Sequence, residues 1–359
     1  MSAPLARTAQ VRTQLTHTWQ TRGLVACALW PLSLLYGVLS KLHKSFYTLG
    51  LMATVRVPVP VVVVGNVVAG GAGKTPLVIA LVRHWQQQGL AVGVVSRGYG
   101  RQAKYCVEVL ESTPISESGD EPALILRARH APVFVANKRS DAILALLAKY
   151  PATQLIVCDD GLQHHGLARD VEIAVFDDRG IGNGWLLPAG PLRERRGPLQ
   201  QHGRVVLHTG RSPAFAGYRS SRRLADHAVA SDGQKVPLEG LKNQSLVALA
   251  GIAQPSAFFD MLKLRGFSLA QTISLPDHFD FAGYTLPIPP GTTVLCTEKD
   301  AVKLFKRPAG PEHDDQQILA VPLEFSPEPA FLTHLDALLA PLLMRSSGLP
   351  SRQGHKNGH

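Results

Sequence analysis

Apolar residues recur along the chain in three rhythms, and each predicts a different kind of element. The first is an unbroken run. Gly23–Ser40, GLVACALWPLSLLYGVLS, is 18 residues without a charge. As a helix it would span roughly 27 Å, at the lower limit for crossing a bilayer. Pro31 interrupts it, which membrane helices tolerate better than soluble ones. The run is long for a cleaved signal peptide, and no small-x-small cleavage site follows. The second rhythm is helical. In KLHKSFYTLGLMATVR, Leu42, Phe46 and Leu49 fall at i, i+4 and i+7 while Lys41 and Lys44 point elsewhere. This is an amphipathic helix with a basic face, suited to a membrane surface. A spanning helix, an interfacial anchor and a soluble hairpin packed on the core compete, and length and flanking charge favour membrane association. Orientation is not legible, because Arg7, Arg12 and Arg22 on one side balance Lys41, Lys44 and Arg56 on the other.

The third rhythm begins at Val57, where short β-branched runs alternate with helical stretches. VPVVVVG reads as a buried strand and TPLVIALVRHWQQQG as a helix closed by Gly89. AVGVVSRGYG is a strand entering a Gly-rich turn. APVFVAN, QLIVCDD, VEIAVFD and GRVVLH are further strands, with the helical RSDAILALLAKY among them. Near-continuous apolar strands separated by helices predict a parallel sheet covered on both faces. Residues 208–243 lack a strong period and are rich in Gly, Ser, Pro and Arg, so a domain boundary is placed there. SLVALAGI then starts a second α/β unit, which continues through the helix SAFFDMLKLRG and the strands TTVLCTEKD and QILAVPLEF to a helix near 327–344. The expected division is a tail and membrane-associating segment at 1–56, a first α/β domain at 57–215, a smaller one at 216–345, and a disordered tail at 346–359.

Composition narrows this little. Hydrophobic content of 45% excludes a disordered chain. A net charge of +10 favours polyanionic partners such as nucleic acid, acidic lipid surfaces or phosphorylated substrates. No stacking motif or named nucleic-acid fold supports the first of these. Cys27, Cys106, Cys158 and Cys296 form no C-x-x-C pair, so neither a zinc knuckle nor a disulfide framework is indicated, and thiols in a reducing compartment are expected.

The chemistry starts at Gly65–Pro76, GNVVAGGAGKTP. A phosphate-binding loop needs glycines that let backbone N–H groups approach phosphate oxygens, a Lys for the β- and γ-phosphates, and a hydroxyl for Mg²⁺. Gly70, Gly71 and Gly73 meet the first need, Lys74 the second and Thr75 the third, between a four-valine strand and a helix. The usual spacing wants a glycine where Val68 stands, so the tight turn falls to Gly65 or Gly70. Asp159 and Asp160 end a neighbouring apolar strand, where a carboxylate would hold Mg²⁺ directly or through water. The fold expected is a P-loop NTPase-like parallel-sheet domain with a second, smaller α/β domain and an N-terminal membrane-associating helix. TEKD at Thr297–Asp300 has the letters of a guanine signature in the wrong spacing, and motor motifs are not evident.

SRGYGR (96–101), SGDEP (118–122), DDGLQHH (159–165), PAGPLRE (188–194), PDHFDF (276–281) and TEKDAVK (297–303) complete an ordered set with the P-loop. With that set the chain resembles the tetraacyldisaccharide 4'-kinases, the lipid A 4'-kinases of Gram-negative bacteria. The resemblance spans about residues 24–305, and it departs from the family pattern at Val68, Ala72 and AGIAQP (250–255). It implies ATP and Mg²⁺ as cofactors and transfer of the γ-phosphate to the 4'-hydroxyl of a tetraacylated glucosamine disaccharide 1-phosphate. It implies a monomer at the cytoplasmic face of the bacterial inner membrane, with no nucleic-acid partner.

The roles it implies are specific. Asn66, Gly70, Gly71, Ala72, Gly73, Lys74 and Thr75 form the nucleotide loop, with Lys74 also catalytic. Asp120 is the base for the sugar hydroxyl, and His278 orients and tunes it. Thr75, Glu121, Asp159 and Asp160 form the metal shell. Arg97, Tyr99, Gln163, His164, Arg193 and Glu194 lie around phosphate or acceptor. From the residues alone, a soluble P-loop kinase for a small metabolite and a nucleotide-dependent switch ATPase remain open. Because Asp120 and His278 fall in different expected domains, closure of a hinge is predicted to assemble the site.

Overall fold

The computed structural model describes residues 18–195, 203–289, 291–306 and 317–347. A 25-residue helix, α1 (Leu24–Thr48), leads into β1 (Val61–Gly65). There follow α2 (Lys74–Gln87), β2 (Val92–Ser96), β3 (Val107–Val109), α3 (Ile115–Ser118), α4 (Asp120–Arg129), β4 (Val133–Val135), α5 (Arg139–Lys149) and β5 (Leu155–Asp159). Next come β6 (Val171–Phe176), β7 (Arg204–His208), β8 (Tyr218–Leu224), β9 (His227–Val229), β10 (Lys235–Pro237), β11 (Leu246–Ala250), α6 (Pro255–Leu264) and β12 (Leu269–Ser274). The chain ends through β13 (Thr293–Thr297), α7 (Glu298–Leu304), β14 (Gln317–Val321), β15 (Leu323–Pro327) and α8 (Pro329–Ser347).

The strands form two sheets. One has nine strands in the order β15-β8-β7-β6-β1-β5-β2-β4-β3, and the other six in the order β10-β9-β14-β13-β11-β12. In the larger sheet β4, β2, β5, β1, β6, β7 and β8 run parallel, and β3 and β15 close the two edges antiparallel. The four-valine run explains its place at the centre. Val62 and Val64 face Leu77, Leu81 and Trp85 of α2 and Phe331, Leu335 and Leu339 of α8. Val61 and Val63 face Ile143 and Leu146 of α5 on the other side. A strand buried on both faces has no use for alternation, so it reads as a continuous apolar run. In the smaller sheet, Ala248 and Ala250 pack with Phe258, Phe259 and Leu262 of α6, and Val247 and Leu249 with Phe281 and Leu304.

Three expectations are corrected. QILAVPLEF is two strands, β14 in the smaller sheet and β15 in the larger. Pro322 lies between them; with no N–H it cannot extend a ladder, and its carbonyl accepts from the N–H of Ala225. The irregular stretch 208–243 contains β8, β9 and β10. The chain therefore crosses between the sheets twice, by β8 and back by β15, and α8 fills the larger core, where the sequence suggested a single boundary at 216. The last stretch, 346–359, begins inside α8, and beyond Ser347 it lies outside the described residues, as does the start of 1–56.

The apolar and amphipathic N-terminal segments form one helix, which continues through Pro31. One face of α1 docks on the body. Ala26, Ser33 and Gly37 are buried, Ser33 Oγ donates to the carbonyl of Leu186 at 2.8 Å, and Tyr36 OH donates to the carbonyl of Arg193 at 2.7 Å. The opposite face leaves Leu32, Leu35, Val38, Leu39 and Leu42 about half exposed.

Candidate active site

Parallel pairing brings the first cluster together. Val64 sits opposite Asp159, so the ends of β1 and β5 place the phosphate loop beside the acidic pair. Within the loop, Gly70 and Gly73 take positive φ of 101° and 77°. The tight turn therefore belongs to Gly70, and Gly73 opens α2 from a conformation that L side chains resist. Asn66 is fully buried and staples the loop, its Nδ2 donating to the carbonyls of Val68 and of Gly70, the latter at 2.8 Å. Its Oδ1 accepts from Lys74 Nζ at 3.1 Å, and Lys74 lies 3.5 Å from Asp160 Oδ1. Arg193 Nη1 reaches the same carboxylate at 3.1 Å, and Gln163 Nε2 donates to the carbonyl of Asn66. The carbonyl of Ala72 accepts from Thr209 Oγ1, and that of Gly71 from Arg179 Nη2. Thr75 is buried in the first turn of α2.

The second cluster joins the two sheets. Asp120 is the first residue of α4 and only 2% exposed. His278, from the segment between β12 and β13, points its Nδ1 at both carboxylate oxygens, at 2.9 and 3.0 Å. Lys303 Nζ lies 3.2 Å from Asp120 Oδ2. Lys299 Nζ lies 3.3 Å from Glu121 Oε1 and donates to Asp277 Oδ1 at 3.0 Å. Its 3.3 Å approach to His278 Nε2 makes that nitrogen the acceptor, because an ammonium only donates, which leaves the ring proton on Nδ1 facing Asp120. The exposed Tyr99 ring lies 4.9 Å from the His278 ring. The smaller-sheet unit also touches the phosphate loop itself: a Cβ on Gly71 would come within 2.7 Å of Ala253 Cβ.

Comparison with known proteins decides the family. Residues 25–340 match the family described as tetraacyldisaccharide-1-P 4'-kinase, LpxK. The chain belongs to this family. It is 61% identical over 343 residues to the tetraacyldisaccharide 4'-kinase of Polaromonas naphthalenivorans, covering 95% of this chain and 98% of that one. It is 62% identical over 341 residues to the same-named protein of Polaromonas sp. strain JS666, covering 95% and 99%. Among solved structures it is similar to LpxK from Aquifex aeolicus, described as an "apo" form in complex with ATP, with a TM-score of 0.74, 27% identity, and coverage of 89% of this chain and all of that one.

Electrostatics divide this kinase site into groups held charged and groups held neutral. Burial alone would raise the Asp120 carboxyl, but the His278 hydrogen bond and the Lys299 and Lys303 ammonium groups hold it well below the usual carboxylate range. Burial would raise Asp160 too, and Lys74, Arg193 and Arg139 bring it below normal. Asp159 behaves oppositely. Burial, aided by Glu121, pushes it up to about 7. Its Oδ2 accepts from Ser96 Oγ at 3.3 Å, while its Oδ1 is buried with no partner. An orphaned carboxylate oxygen within electrostatic reach of Asp160 and Glu121 suits a divalent cation. Among the described residues no three His, Cys, Asp or Glu side chains converge as a metal cluster, so Glu121, Asp159 and Asp160 do not form a ready-made three-carboxylate shell.

The remaining expected residues sit further out. Arg97 is exposed. His164 is half-buried, and burial with Arg139 and Arg169 nearby lowers its imidazole to about 4, so it is neutral at physiological pH. Glu194 turns from the loop toward Arg204, 3.8 Å away, and burial raises its carboxyl. Sequence reasoning missed Lys299, Lys303, Arg139 and Arg179. Arg139 Nη2 donates to the carbonyl of Asp160 at 2.8 Å, and Arg179 braces the carbonyls of Ala69 and Gly71. TEKDAVK was legible as a motif, yet its spacing gave no sign that its lysines face another helix.

Proposed function

We propose that this chain transfers the γ-phosphate of ATP to the 4'-hydroxyl of a tetraacylated glucosamine disaccharide 1-phosphate, a step of lipid A biosynthesis. The observation that supports it most is a phosphate loop and a buried Asp–His pair from two units, linked through Glu121 and Asp159, in a chain of this kinase family. The backbone of Gly70–Thr75 and the Lys74 ammonium bind the β- and γ-phosphates. Arg193 and Arg139 hold Asp160 in place beside them. Thr75, Asp159, Asp160 and Glu121 are the groups that would hold Mg²⁺, which when bound neutralises charge on the β- and γ-phosphate oxygens. The Asp120–His278 pair takes the proton of the acceptor hydroxyl as that oxygen bonds to phosphorus and the bond to the ADP oxygen breaks. Tyr99, beside His278 and open to solvent, is placed to line the acceptor side.

Membrane contact belongs to the same reading. Helix α1 has the length and hydropathy of a spanning segment, but it binds the protein body along one face. A helix anchored in this way lies in the interface, its leucines in the cytoplasmic leaflet of the inner membrane, where the acceptor resides. The test is transfer of labelled γ-phosphate from ATP to the purified acceptor in detergent micelles. Labelled glycolipid that disappears with Asp120→Ala is expected. ATP turnover without labelled lipid would reject this acceptor.

A further inference from the structure

His278 stands at a junction where Lys299 and Lys303 have no role in the reading above. It is held at φ 63°, a left-handed conformation that a non-glycine residue keeps only when its surroundings impose it. Helix α7 supplies those surroundings. Lys299 and Lys303 are four residues apart and therefore share one face of the helix. Each grips a neighbour of His278. Lys299 Nζ donates to Asp277 Oδ1 on the preceding residue, at 3.0 Å, and Lys303 Nζ donates to the carbonyl of Phe279 on the following one, at 3.0 Å. Each also reaches α4 in the other sheet's unit: Lys299 to Glu121 at 3.3 Å, Lys303 to Asp120 at 3.2 Å. Both side chains are only 15% exposed, so solvent screens these pairs little.

The base of α7 is itself fixed. Thr297 caps it by accepting from the N–H of Asp300, and Asp300 in turn accepts from the N–H of Gly251 at 3.0 Å. The loop after β11 and the face bearing the lysines therefore share one anchor. The motif TEKDAVK then reads as a device: Thr297 and Asp300 set the helix, and Lys299 and Lys303 are its two prongs.

We propose that Lys299 and Lys303 are positioning residues of the phosphoryl transfer, which fix His278 against Asp120 only when the two units are together. The proposal rests on the kinase reading above. Every contact of the two lysines described above is with protein: Asp120, Glu121, Asp277, His278 and Phe279. They act through the Asp–His pair, and when the units separate both prongs withdraw, leaving the pair unassembled while the phosphate loop stays intact.

The test uses the full chain in acceptor micelles, comparing wild type with Lys303→Met, Lys303→Arg and Lys299→Met, each also checked for thermal unfolding. A misplacement of about 1 Å in a catalytic group costs on the order of 100-fold, so Lys303→Met is expected to lower kcat by about 10- to 100-fold with KM for ATP within about threefold. Lys303→Arg, which keeps the charge, recovers most of that loss. In an Asp120→Asn background under single-turnover conditions, Lys303→Met adds no further loss, because its target is already gone. The proposal is overturned if Lys303→Met turns over within twofold of wild type, or if its loss multiplies with that of Asp120→Asn. Should Lys303→Met fail to fold, Lys299→Met decides by the same readouts, again in the Asp120→Asn background. Wild-type enzyme that labels no lipid would sink the kinase reading and this proposal with it; labelled lipid with unaffected lysine variants would sink the proposal alone.

Discussion

Gly73 shows how little freedom the phosphate loop has. Its φ of 77° disfavours any side chain, and a Cβ there would run into the buried Arg222 guanidinium. Gly73→Ala is expected to cut kcat/KM for ATP at least about 100-fold, read by steady-state kinetics, while its far-UV circular dichroism matches wild type. The Asp–His pair sets a different expectation: His278→Ala lowers kcat by about 10²- to 10⁴-fold and leaves ATP affinity unchanged. Equal turnover in that variant would remove the pair from the mechanism. Asp159 gives a pH signature. Its folded pKa of about 7 lies above the usual carboxylate value near 3.9, so between those limits the folded state binds more protons than the unfolded one. Stability without divalent cation therefore falls as pH rises from about 4 to about 7. Melting in EDTA at pH 5.5 and 8 is expected to show this drop in wild type and a smaller one in Asp159→Asn. Mg²⁺, competing with the same proton, raises the wild-type Tm more at pH 8 than at pH 5.5.

At the scale of elements, legibility in the sequence followed burial. Strands β1 and β5 are buried on both faces and announced themselves as apolar runs, so the phosphate loop and the acids at their ends could be placed. Strand β8, YRSSRRL, alternates between half-buried and exposed and has its partner β15 at the far end of the chain; nothing local marks it. The Asp120–His278 pair was named through family resemblance, since neither residue's neighbourhood reveals a contact across 158 positions. The lysines of α7 needed the structure for the same reason. Helix α1 carries a prediction of its own. Leu35 and Leu39 are 58% and 57% exposed. With just over half of each residue still exposed, each would gain about 1–2 kcal/mol on completing its burial in lipid. Leu35→Asp/Leu39→Asp is expected to weaken vesicle binding at least about tenfold in flotation assays, with ATP affinity unchanged. Unaltered flotation would count against an interfacial helix.

At the scale of the whole molecule, the smaller unit is joined to the larger by β8 and β15, which pair with each other over five residues from Leu224↔Leu323 to Ser220↔Pro327. Hinge motion between the units is predicted to concentrate where this ribbon ends, and a contact between the phosphate loop and the smaller unit is where closure could be interrupted. A methyl on Gly71 would meet Ala253 Cβ at 2.7 Å, so Gly71→Ala should stop closure short. The expected result is a fall in kcat of about tenfold, larger than any change in nucleotide affinity followed with a fluorescent ATP analogue. If kcat is untouched, the contact of Ala253 with the loop plays no part in turnover.

The return of the chain through β15 and α8 also has a consequence for synthesis. Phe331, Leu335 and Leu339 cover Val62, Val64 and the apolar face of α2, and these are among the last described residues to leave the ribosome. Until they emerge, the first-made sheet has one face only partly covered, by α2, and one edge without its partner. The nascent enzyme thus spends most of its translation as an incomplete layer, open to aggregation or to a chaperone, and truncation within the final helix should deprive the N-terminal half of its solubility as well as its activity.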